Sequence, residues 1–181
     1  KVLHELDWSK SAMLAHNTMF DGAIAAWKHG IIPTRYYDTL SMARPHFGTT
    51  VGGSLAKVAK TLGVGVKGTE VVMALGKRKP DFTEAEMAAY GQYCRTDVDL
   101  CYDIFKLLLN GGRTPSGLML PAFPKQELLL IHDTIHMYTE PMLELDGDLL
   151  RQHLRSVKEG HVEALRNAIK AAAEHSPKVA R

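Results

Sequence analysis

No stretch of about 18 apolar residues occurs in the 181-residue chain, so it contains no candidate helical membrane span. Cysteine is scarce. The two present, Cys94 and Cys101, are seven positions apart, and seven helical residues separate side chains by about 10 Å, beyond disulfide reach. The expected state is a pair of buried free thiols in a reducing compartment. One-sided charge is missing too. Lys+Arg 22 against Asp+Glu 20 leaves a net charge of +2, too little to argue for nucleic-acid binding by charge alone. The one compact basic cluster, Lys77-Arg78-Lys79, reads as a solvated loop. Lys1-Val-Leu-His-Glu5 has no signal-peptide character and no initiator Met, and it opens inside a helical pattern. It therefore reads as the start of a fragment. What is present, 45% hydrophobic residues with mixed charges, fits a soluble, cytoplasmic, globular chain with no membrane partner. Its length suits one ordinary domain, or one domain plus an appendage.

The chain turns on the stretch Met13-Leu-Ala-His-Asn17-Thr-Met-Phe20-Asp21. Three apolar residues read as a short buried strand, left through polar His16 and Asn17. Phe20 to Lys28 then reads as a helix ended by Gly30. Asp21 thus falls where a helix follows a strand, a usual place for reactive groups in α/β proteins. A helix cap is the plainer reading of such a residue.

Further on, Arg35 to Leu40 reads as a second strand, rich in β-formers. Thr49 to Ser54 reads as a loop, with Ser54 capping a helix over Leu55 to Leu62. Gly52 and Gly53 are not followed by Gly-Lys-Ser/Thr, so a P-loop is excluded. Gly63 to Gly68 is a glycine-rich turn, and Thr83-Glu-Ala-Glu86 is a capping box that opens a long helix reaching Leu109. Gly91 suggests an irregularity or a close packing contact near its front. Residues 111–126 hold glycines and prolines at linker density, and residues 127–181 read as helices with no strand between them.

On the long helix, Tyr93 and Asp97 are four apart and share a face. Asp97 falls within the apolar stripe of Leu100, Cys101, Ile104, Phe105 and Leu108, whereas Asp99 and Asp103 fall on the solvent side. A carboxylate facing a core is costly without a partner. A cation held jointly with Asp21 would serve. Other metal readings are weaker. His132-Asp-Thr-Ile-His136 has two histidines at helical spacing but no third ligand, and the cysteine spacing is not that of a zinc site. Glu144, Asp146 and Asp148 read as a solvated helix start.

Asn17-x-x-Phe20-Asp21 and the later Tyr93-x-x-x-Asp97 resemble the second and third motifs of the DEDD 3′–5′ exonucleases, in the version with Tyr. Tyr37-Asp-Thr-Leu40 and the helix over Leu55 to Leu62 suit that layout. Thr139 to Asp146 is similar to the segment just after the proofreading region in phage-type family A DNA polymerases. The resemblance implies a ribonuclease H-like α/β exonuclease fold, truncated at its N-terminal strands and followed by a helical arm. It divides the chain into the C-terminal part of the exonuclease domain at 1–110, a linker at 111–126, and a helical segment at 127–181 leading toward a polymerase domain.

The same resemblance implies hydrolysis of the 3′-terminal phosphodiester of single-stranded DNA ends by two Mg²⁺ or Mn²⁺ ions. Hard cations call for carboxylate ligands, here Asp21 and Asp97. Tyr93 would orient the attacking water. Asn17, Phe20 and His16 would contact the terminal nucleotide, although Phe20 equally suits a core. The location would be cytoplasmic, in a host cell if the origin is a phage. One departure is large. The first motif, Asp-x-Glu, has no counterpart in the sixteen residues before Asn17, because Glu5-Leu-Asp7 has the reverse order. Two of four acids are therefore expected to lie outside the chain. The alternatives are a non-catalytic module of this fold that grips single-stranded DNA or supports the polymerase, and a free-standing exonuclease acting on RNA.

Overall fold

A computed structural model describes residues 2–68, 74–142 and 144–175. The chain is mixed α/β with helix predominating. β1 (Ala12–Ala15) and β2 (Arg35–Asp38) pair in parallel, with Leu14 opposite Tyr37 and Ala15 opposite Asp38. Parallel neighbours need a crossover, and α1 (Thr18–His29) provides it. Alternate side chains of β2 leave on opposite faces. Tyr36 is fully buried against His132 of α5 (Lys125–Thr139), with ring centroids 6.0 Å apart. Tyr37 meets Phe105 of α4 (Glu84–Asn110) at 5.0 Å. Helices therefore cover both faces of the two-stranded sheet. Gly22 of α1 allows the close approach on the Tyr36 side, since a Cβ there would stand 3.1 Å from the tyrosine ring.

The main core lies on the Tyr37 side. Met42 and Phe47 of α2 (Thr39–Val51), the face of α3 (Leu55–Leu62), and Leu100, Ile104 and Leu108 of α4 form it. α3 forms where expected, for local reasons. Leu55, Val58, Ala59 and Leu62 recur at helical spacing and are buried, and the Ser54 hydroxyl accepts the Lys57 N–H at 3.4 Å. α4 starts at the expected reciprocal cap, with the Glu86 N–H on Thr83 Oγ1 and the Thr83 N–H on the Glu86 carboxylate.

Four local expectations need correction. α1 begins at Thr18, two residues early, because Asn17 turns the chain in the left-handed region at φ 76°. Strand β2 stops at Asp38, whose carboxylate accepts the N–H groups of Leu40 and Ser41, so Thr39 and Leu40 start a helix instead. Helix α2 then continues to Val51 across a break at Gly48, covering part of the expected loop. Cys94 is exposed while Cys101 is buried. The reason is that the core cluster takes its buried α4 members from Leu100 onward, so it ends short of Cys94. Gly91 lies in this uncovered front, where a Cβ would meet nothing within 4 Å, and the helix passes through it without interruption.

After α4, β3 (Gly112–Arg113) and β4 (Met119–Leu120) form a small antiparallel hairpin folded against the core. Gly111 makes this possible. Its φ is 66°, and a Cβ there would lie 2.4 Å from the Ala122 backbone nitrogen. Lys1–Pro141 is one compact unit and Met142–Arg181 a second. The second unit holds α6 (Gly147–His175), whose start is capped by Asp146: its carboxylate accepts the N–H groups of Asp148 and Leu149 at 3.1 and 2.9 Å. Of the segment 139–146, Leu143 lies outside the described residues. No helix among the described residues is long and apolar enough to cross a membrane.

Candidate active site

The two parallel strands end side by side, and Asp38 knots their ends together. Oδ1 accepts the N–H groups of Asn17, Thr18 and Leu40 at 2.7, 3.2 and 3.1 Å. Oδ2 accepts the Ser41 N–H at 3.3 Å and its hydroxyl at 2.6 Å. One buried carboxylate thus fixes the starts of α1 and α2 at the carboxyl end of the sheet. Reading Arg35 to Leu40 as one strand misses this role of Asp38. The visible signal is its position immediately before Thr39-Leu-Ser41, an ordinary cap pattern.

A cavity of about 710 Å³ opens beside this knot, lined by His16, Asp21, Lys67, Asp97, Cys101 and Tyr102 together with residues of β1. Asp21 sits in the first turn of α1 rather than at its cap. Its side chain is exposed at the cavity, yet surrounding protein desolvates the carboxyl and, with the nearby negative charge of Asp38, holds its pKa above the ordinary aspartate value. Asp97 comes from α4, four residues after Tyr93 and on the face that carries Leu100, Cys101 and Ile104 inward. The structure brings the two acids that the sequence singles out to one cavity.

The partner Asp97 needs is present, and it is Lys67. The ammonium Nζ lies 2.5 Å from Oδ2, with both side chains about three quarters buried at 25% and 23% exposure. Nζ also stands 5.0 Å from the centre of the Tyr93 ring. Burial lowers the Lys67 pKa, but the hydrogen bonds and charge of Asp97 and Tyr93 outweigh it and hold it above the usual lysine value. Burial likewise raises the Tyr93 phenol. The other carboxylate oxygen, Asp97 Oδ1, is buried with no hydrogen-bond partner. The sequence does not mark Lys67, since a lysine between glycines of a turn carries no pattern. Only the demand of Asp97 for a cation points toward it.

The remaining expected contacts are dispersed. His16 lines the cavity, but both ring nitrogens are engaged: Nδ1 with Thr39 Oγ1 at 2.9 Å, and Nε2 with the Gly53 carbonyl at 2.7 Å. A carbonyl only accepts, so Nε2 carries a proton. Phe20 is 64% exposed, which excludes its reading as a core residue, and neither Phe20 nor Asn17 lines the cavity. Tyr93 is buried behind the Lys67 contact. Asp99 is exposed, and Asp103 pairs with Lys106 at 2.9 Å, both on the solvent side as expected. His132 accepts the Tyr36 N–H at 3.3 Å and His136 contacts Glu140 at 2.7 Å, so each has a local partner outside the cavity.

Among the described residues, no three His, Cys, Asp or Glu side chains gather as a metal site. The fit to a divalent cation therefore rests on two hard carboxylates at one cavity and on the unpartnered Asp97 oxygen. They form a partial donor set. Set against family models, curated proteins and solved structures, the chain matches none.

Proposed function

We propose that the chain carries half of a two-metal 3′–5′ exonuclease site of the Tyr-containing DEDD type, in a ribonuclease H-like proofreading domain of a phage-type family A DNA polymerase. One observation carries the reading: a single cavity at the carboxyl end of β1 receives both Asp21 and Asp97, and one Asp97 oxygen is buried there without a partner. A bound pair of Mg²⁺ or Mn²⁺ ions would supply an activated water and neutralise charge at the scissile phosphate. Asp21 and Asp97 contribute anionic oxygens, and two further acids would have to come from outside residues 1–181. Tyr93, its pKa raised by burial, remains a neutral phenol at working pH and serves as a hydrogen-bond donor that orients water, not as a metal ligand. Phe20, exposed one residue before Asp21, offers a ring for the terminal base, and Asn17 an adjacent amide. The substrate is the single-stranded 3′ end of DNA, the second unit leads toward the polymerase domain, and the work is done in the cytoplasm.

A second reading, a non-catalytic module of the same fold, gains support from Lys67. Its ammonium supplies the counter-charge that a cation would otherwise bring to Asp97. The test is gel analysis of a 5′-labelled strand in Mg²⁺, DNA beside RNA. Residues 1–181 should be inactive alone. The polypeptide completed with an Asp-x-Glu segment should release single nucleotides from the 3′ end, and Asp21→Ala or Asp97→Ala should abolish this. Strand binding without hydrolysis by the completed polypeptide would favour the non-catalytic module. Robust digestion by residues 1–181 alone, lost in Asp21→Ala, would sink the half-site account.

A further inference from the structure

We infer that Lys67 is a displaceable counter-ion for the cation site: its ammonium holds the Asp97 carboxylate when no divalent ion is bound and competes with that ion for the same oxygen. The inference rests on the metal-site reading of Asp21 and Asp97. Three observations carry it. Nζ lies 2.5 Å from Asp97 Oδ2, which occupies the lone pairs a metal ion would use. Oδ1 of the same carboxylate is buried and unpartnered, so the group retains unused capacity for a positive charge. Both Lys67 and Asp97 line the cavity that also receives Asp21, so a dication drawn by the two acids would meet the ammonium at close range.

Like charges at such separations repel strongly in a partly desolvated site. A dication and an ammonium on one carboxylate oxygen cannot coexist there, so one must leave. Lysine suits the departing role. It is a point charge on a flexible stem, rather than a planar fork locked into two bonds. Lys67 also lies on a glycine-rich turn. Gly63 and Gly65 precede it at φ 75° and 154°, and Gly68 follows it. Its side chain keeps 25% exposure, so solvent is within reach of the swinging ammonium. The Tyr93 ring beneath Nζ would be uncovered by the same movement, which frees the phenol for water just as the cation arrives.

The test is Mn²⁺ titration of the polypeptide completed with the Asp-x-Glu segment, followed by calorimetry or by the paramagnetic signal of free Mn²⁺. The proteins compared are the natural sequence, Lys67→Met, Lys67→Arg and Asp97→Asn. Removing the competitor should tighten Mn²⁺ binding about tenfold in Lys67→Met, about 1.4 kcal/mol. Lys67→Arg should restore the natural affinity or weaken it, and Asp97→Asn should lose binding. A second readout needs no substitution. Mass-spectrometric mapping of amine acylation on the natural chain should find Lys67 protected without metal and more reactive at saturating Mg²⁺, with other lysines unchanged. Mn²⁺ binding that is lost in Asp97→Asn but equal in Lys67→Met and the natural chain would overturn the competition and leave the metal site standing. So would Lys67 reactivity indifferent to Mg²⁺ in a chain that binds it. Failure of every variant to bind Mn²⁺ would overturn the metal reading itself, and this inference with it.

Discussion

Asp38→Ala is expected to be the most damaging single truncation at the sheet end, and its cost can be worked from the contacts. The residue is 4% exposed, and its two oxygens accept five hydrogen bonds from Asn17, Thr18, Leu40 and Ser41. Removing a helix cap alone costs about 1 kcal/mol, and up to about 2 in proteins. Here the loss also strips the start of α1, leaving the buried Thr18 N–H and the part-buried Asn17 N–H with no acceptor. Each buried orphan adds about 1–3 kcal/mol. The effects share one group and do not simply add, so roughly 3–5 kcal/mol is expected, a large part of the 5–15 kcal/mol or so that a domain possesses.

For a chain of this size, 1 kcal/mol shifts Tm by about 2–4 °C, so Asp38→Ala should lower it by roughly 10 °C. Asp38→Asn keeps an acceptor oxygen for the α1 starts but gives up the charge and the Ser41 bonds. It should cost about half as much. The assay is thermal and urea unfolding of residues 1–181 followed by circular dichroism, with the urea slope checked for constancy. A loss below about 1 kcal/mol in Asp38→Ala, or equal losses for Ala and Asn, would refute the knot as described.

Two further outcomes are expected. In the completed polypeptide, Tyr93→Phe should lower 3′–5′ hydrolysis by roughly 10²-fold, the effect of losing one positioned donor, while Mn²⁺ affinity stays unchanged; a loss of affinity would count against the water-orienting role. Glu86 is held down to about 2, first by the Lys77 ammonium at 2.6 Å and then by the Thr83 N–H and hydroxyl. A lowered carboxylate adds stability that is present above its ordinary value of 4.5 and lost as pH falls from there toward 2, so Glu86→Gln should flatten the fall of the urea midpoint across that window. Parallel falls in both proteins would dismiss the contribution.

The elements legible in the sequence are those whose causes are local. The Ser54 and Thr83 caps, the Gly30 and Gly63 stops and the four-residue apolar rhythm of α3 all act within one or two helical turns, and the helices form at those signals. The errors arise where a distant partner decides. Arg35 to Leu40 has strand composition throughout, yet Asp38 ends the strand because its carboxylate also gathers the Asn17 and Thr18 N–H groups from twenty residues upstream. Cys94 and Cys101 share a helix face in sequence, but burial depends on what covers that face. The core cluster that takes in Cys101 reaches no further toward the helix start than Leu100. Gly91 suggests crowding by composition alone, and it stands in the open for the same reason.

The site divides along the same line. That Asp97 must meet a positive charge follows from its place in an apolar stripe, because an unpaired carboxylate among Leu100, Cys101 and Ile104 would be expelled or protonated. Which charge it meets cannot follow from α4, since Lys67 is thirty residues away in sequence and arrives on a glycine-rich turn. The consequence is energetic as well as topological. With Lys67 in contact, Asp97 is no longer simply a strained acid whose neutralisation would relax the fold. Removing its charge would leave the ammonium three quarters buried against Tyr93, and that cost opposes whatever is gained by relieving the unpartnered Oδ1. The pair therefore holds the carboxylate in position at little net stability, in either direction. A carboxylate so held is ready for a stronger cation.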